Sequence, residues 1–74
     1  MHYRILEGST LPDSSATGLV IRTLTPEGEI EVDEYPTDVV GWFELACSHR
    51  EAGSVVQLVE SASGRVLATT QELK

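Results

Sequence analysis

Four side chains that could do chemistry or anchor a partner fall within the eleven residues from Gly41 to Glu51, "GWFELACSHRE". They are the chain's only Trp (Trp42), its only Phe (Phe43), its only Cys (Cys47) and one of its two His (His49). Cys47 and His49 stand two apart, and a helix sends such neighbours to different faces, so they do not converge on a metal that needs three or four ligands. Ser48 beside His49 is adjacency in sequence, without the facing base and orienting group that nucleophilic catalysis requires. No phosphate-cradling, dinucleotide-binding or zinc-protease pattern occurs either. The expectation is a non-enzymatic chain with no cofactor, no metal site and no catalytic residue.

The second constellation is one of charge. Six of the chain's twelve acidic residues lie between Glu27 and Asp38, in "EGEIEVDEYPTD". Within it Glu29, Glu31 and Asp33 alternate with Ile30 and Val32, so a strand would set the three carboxylates on one face at roughly 6.8 Å intervals, two strand rises. Glu34 extends the charge beyond the row. Such a row has two uses. It solubilises an exposed face and blunts an edge strand against aggregation, or it offers a basic groove the charges that the groove normally takes from a phosphate backbone.

Elements must position these groups. "HYRILE" (residues 2–7) reads as a short first strand, and the Ser-, Thr-, Gly- and Pro-rich residues 8–18 as one long loop. "GLVIRTLT", a Pro-Glu-Gly turn and "EIEVDEY" make a hairpin. In its second strand Ile30 and Val32 are assigned to the core face and Glu29, Glu31 and Asp33 to water. Pro36 ends that strand, Thr37 or Asp38 caps a helix running to about Ala52, Arg50 sits in its last turn, and Gly53 is placed to cap its end. "SVVQLVE" and "RVLATTQ", joined by "SASG", make a second hairpin. The predicted class is α+β: an antiparallel sheet of four or five strands in the order (β)ββαββ, with one helix packed on one face.

At about 100° per residue, Val39, Val40, Phe43, Ala46 and Cys47 share an arc that sits on a sheet, which makes Cys47 an inert buried hydrophobe. Trp42, Leu45 and His49 lie on a flank of that stripe and widen the apolar arc to about 220°, more than one sheet face needs. Either the first strand or the long loop folds over this flank, or it stays open as an aromatic patch for a partner or a second copy. Gly41, costly in mid-helix, reads as tolerated or as room for a close approach.

Whole-chain numbers set the remaining bounds. Seventy-four residues form a single domain with a thin core. Twelve acids against five basic residues give a net charge of −7, with no Lys/Arg cluster, so direct nucleic-acid binding is not expected. No apolar run approaches the roughly 20 residues that cross a bilayer, the start lacks a signal-peptide pattern, and a lone Cys fits a reducing cytoplasm, so the chain is expected to be soluble and cytoplasmic with no membrane partner. In size, charge and lack of catalytic groups the chain resembles the small acidic inhibitors made by phages and other mobile elements, including those aimed at CRISPR complexes. That likeness is one of format and implies a protein-interaction module that inhibits a nucleic-acid-binding complex. The alternatives from other classes are a structural or assembly subunit that forms a homodimer, and a small-ligand binder in the seam between helix and sheet. The residues expected to meet a partner, a basic protein or a second copy, are Glu29, Glu31, Asp33, Glu34, Trp42, Leu45 and His49.

Overall fold

Turns marked in the sequence by glycine are made where the sequence puts them. The computed structural model describes residues 2–71. In it the chain forms β1 (Arg4–Ile5), β2 (Leu19–Leu24), β3 (Ile30–Asp33), α1 (Val39–Ser48), β4 (Val55–Glu60) and β5 (Val66–Thr69). Between β2 and β3 the loop Pro26-Glu27-Gly28 closes with the Thr25 N–H donating to the Glu29 carbonyl at 2.9 Å, and Gly28 takes the left-handed conformation (φ 87°) that a three-residue hairpin loop requires. Between β4 and β5 the loop 61–64 closes as the Glu60 N–H donates to the Arg65 carbonyl at 2.8 Å.

The five strands form one antiparallel sheet in the order β1-β5-β4-β2-β3. β3 and β4 both run opposite to β2, which lies between them, so α1 carries the chain over β2 from one edge of the sheet to its centre. The architecture is α+β, with one helix on one face. Phe43 is fully buried, with Val39, Val40 and Cys47 beside it on the helix and Leu19, Ile21, Val56, Leu58 and Ala68 beneath it on the sheet. Leu11 and Ala16 of the long loop pack against the same cluster. The register slips where Leu58 pairs with Ala68 but Val59 pairs with Val66, which makes Leu67 an extra residue in β5. The bulge brings Leu67 and Ala68, neighbours that a regular strand would send to opposite faces, into one core cluster.

β1 is only two residues long, yet it is anchored. Arg4 pairs with Thr69 and Ile5 with Ala68, while the Tyr3 ring tilts against Phe43 with centroids 5.1 Å apart. The Tyr3 hydroxyl donates to Glu44 Oε2 at 3.2 Å.

The helix is shorter than its sequence pattern predicts. It ends at Ser48, His49 closes it by donating its N–H to the Leu45 carbonyl, and Gly53 (φ 87°) serves the turn from Glu51 to Ser54 that starts β4. Arg50 lies beyond the helix, donating from Nη1 to the Ser54 carbonyl. A left-handed glycine serves a helix end and a tight turn equally well, and the sequence signal does not separate the two.

At the N-terminus of α1 the cap is Asp38, itself in the left-handed region (φ 52°), whose Oδ1 accepts from the Gly41 N–H at 3.2 Å. This geometry explains Gly41: a Cβ there would come within 2.7 Å of the Asp38 carboxylate carbon. The glycine makes room for the chain's own cap, not for a strand or a partner.

Candidate protein-interaction surface

β3 is the one strand with every residue exposed. Its pairing fixes which face each side chain occupies, because partners across an antiparallel ladder share a face. Asp33 pairs with Ile21 and Glu31 with Thr23, which puts the carboxylates on the side where Ile21 is buried under α1. Val32 pairs with Arg22 and Ile30 with Leu24, on the opposite face. The assignment of Ile30 and Val32 to the core is therefore overturned: they are 65% and 56% exposed and lie on the face away from the helix. Glu29, Glu31 and Asp33 do face water, but from the helix side of the sheet.

The cause is the reach of the helix. A helix is about 10 Å across and strands lie about 4.8 Å apart, so α1 spans two strands. Its packing is against β4 and β2. β3, one strand further out, is covered on neither face.

Backbone geometry adds a third free surface. Antiparallel pairs alternate between hydrogen-bonded and non-hydrogen-bonded. The Thr25–Glu29 pair is bonded, so Glu31 and Asp33 also turn their N–H and C=O groups toward β2. Those of Ile30 and Val32 then point outward from the sheet edge. β3 thus presents a carboxylate row on one face, an apolar row on the other and, among the described residues, unpaired peptide groups between them. The side chains of Glu29, Glu31, Asp33 and Glu34 take no hydrogen bond from the described residues.

Beside this edge, the segment leaving β3 is tied to the helix by a ring stack: Tyr35 lies on Trp42 with centroids 5.0 Å apart and planes 10° from parallel. Trp42 nevertheless stays 45% exposed and Leu45 48%, and His49 is exposed at the helix end. Neither the first strand nor the long loop covers this flank. β1 has gone to the far edge of the sheet, and the loop packs on the core through Leu11 and Ala16. Sequence reasoning missed Tyr35 as the partner of Trp42. The signal was present, since Asp33 and Tyr35 continue the alternation that carries the acidic row.

Elsewhere the chemistry is sparse. Cys47 is buried, and desolvation pushes its thiol up to about 12, with nearby Glu44 adding to the shift and Arg50 opposing it. At neutral pH it is a protonated core group. Among the described residues no three His, Cys, Asp or Glu side chains are grouped to hold a metal ion, and no helix is long and apolar enough to cross a membrane. An open hollow of about 510 Å³ lies at the seam beside β1, lined by His2, Tyr3, Arg4, Ile5 and Glu44. Comparison with protein-family models, with curated proteins and with solved structures gives no match to this chain.

Proposed function

We propose that this chain is a small acidic, non-enzymatic protein-interaction module of the cytoplasm, and that its partner is a basic protein met by β3 and its surroundings. One observation carries the reading. The strand with the chain's densest negative charge is the strand that the fold leaves bare on both faces, so its carboxylates stand in a regular row, solvated and without hydrogen-bond partners among the described residues. A row at roughly two-strand-rise intervals complements basic side chains that grip a phosphate backbone, and the net charge of −7 steers encounter with such a surface. The consequence is competitive inhibition of a nucleic-acid-binding protein by occupation of its basic groove. Trp42 and Leu45, exposed beside the row, supply apolar contact area of the kind that anchors interfaces.

The test compares the native chain with the triple variant Glu29→Gln, Glu31→Gln, Asp33→Gln against a basic protein captured by the native chain and then purified. Affinity for the native chain should fall as salt rises, and the variant should associate more slowly with a flatter salt dependence. An unchanged affinity and salt slope in the variant would reject the row as the binding element and shift attention to Trp42 and Leu45.

A further inference from the structure

We propose that β3 takes up an extended segment of its partner as a sixth strand, antiparallel to it like every other neighbour in the five-stranded sheet, and that this segment alternates basic and apolar residues. The inference rests on the reading of a basic partner and adds the way it binds. Three features of β3 specify the guest. The outward N–H and C=O groups of Ile30 and Val32 are the half-ladder that a further strand completes. On the helix side, every guest residue opposite Glu29, Glu31 or Asp33 meets a carboxylate, and α1 does not reach far enough to obstruct it. On the other side, guest residues opposite Ile30 and Val32 meet apolar side chains, and the row at Ile30 continues inward through Leu24 and Val55, while Arg22 and Gln57 lie behind Val32. Both rows have the period of a strand, so one guest in one register satisfies both.

The charges also select against a second copy. An antiparallel pairing of β3 with another β3 sets Glu29, Glu31 and Asp33 opposite the same acids, and like charges across a ladder are destabilising. Stacking two copies through the face away from the helix would bring two Arg22 side chains together, each already engaged in donating from Nε to Gln57 Oε1 at 2.8 Å. The guest that complements the edge is therefore foreign and basic.

The experiment uses a short end-capped peptide of alternating Lys and Val, and a control of the same composition with all Lys preceding all Val. Binding is read by fluorescence anisotropy. The chain variants are Val32→Pro, which removes an outward N–H without removing a bond to β2, and Val32→Thr, which keeps it. The alternating peptide should bind the native chain and Val32→Thr, and should bind Val32→Pro roughly tenfold or more weakly. Should Val32→Pro fail to fold, backbone methylation of the peptide decides. Methyl groups on the Val nitrogens, which face Ile30 and Val32, should abolish binding, and methyl groups on the Lys nitrogens should spare it. Equal binding of both peptides, indifferent to Val32→Pro and to methylation, would overturn strand addition while leaving the basic-partner reading intact. Failure of both peptides to bind would overturn both. A dimer of the native chain that Val32→Pro dissolves without peptide would assign the edge to a second copy and overturn the proposal.

Discussion

Cys47 behaves as a hydrophobe whose proton is held by burial, and this has a consequence in alkaline solution. The unfolded chain releases that proton near the ordinary thiol value of 9.0, whereas the folded chain keeps it to about 12. Between those values unfolding is coupled to proton release, so stability is unaffected below the lower value and declines as pH rises above it. The slope attributable to this group is up to ~1.4 kcal/mol per pH unit. Denaturant midpoints measured on either side of that boundary should show the decline, and Cys47→Ala should flatten it. Tyr3, whose hydroxyl is raised first by burial and then by Glu44, acts with the same sign. In the native protein a thiol reagent should react with Cys47 far more slowly than in denaturant. Gly41 gives a second prediction at this scale. Glycine to alanine inside a helix ordinarily stabilises by up to about 1 kcal/mol. Here the new methyl group displaces the Asp38 carboxylate and with it a cap worth about 1 kcal/mol, so Gly41→Ala should bring no gain in melting temperature.

Among the elements, α1 depends most on one side chain. Phe43 has no exposed surface and holds both the sheet beneath it and the Tyr3 ring beside it. Phe43→Ala should cost about 3–5 kcal/mol, measured by urea denaturation, and should also loosen β1. β3 should respond in the opposite sense: the triple Gln variant relieves repulsion within a solvated row, so its stability should stay level or rise slightly. The stripe of Val39, Val40, Phe43 and Cys47 was legible in the sequence because helical period is a local property. Both hairpins were legible because their turns name themselves. The alternation in β3 was equally clear, but it separates two faces without saying which is covered. That depends on how far α1 reaches across the sheet, a distance set by residues remote in the chain. The same kind of remoteness hid the contact of Tyr3 with Phe43, whereas the stacking of Tyr35 on Trp42 joins near neighbours in the chain and turns on how it bends between β3 and α1.

Taken as a whole, the molecule is a two-layer fold with one layer incomplete. The helix and the long loop cover the middle of one face, and on the opposite face Arg22 bonds Gln57, which is buried there together with Val59 and Thr69. A domain of this size has a small margin of stability, of the order of 5 kcal/mol. An occupant of β3 therefore changes melting behaviour visibly. At a free ligand concentration about a hundred times its dissociation constant, the native state gains about 2.7 kcal/mol. A thermal scan with the alternating peptide should show this gain, and the scan with the block peptide should not.

The pairing of β1 with β5 has a mechanical consequence. Arg4 lies opposite Thr69, so the beginning and the end of the described chain emerge side by side at one end of the same antiparallel pair. A pull applied at His2 and Gln71 acts across the strands, along the direction of the hydrogen bonds between them, and loads those bonds one after another instead of all together. β1 should peel away at low force like a zipper, exposing Ala68 and the Phe43 ring before β4 and β2 feel any tension. In an optical trap the first event should be a short extension well below the force that opens the central strands, and Tyr3→Ala should lower it further.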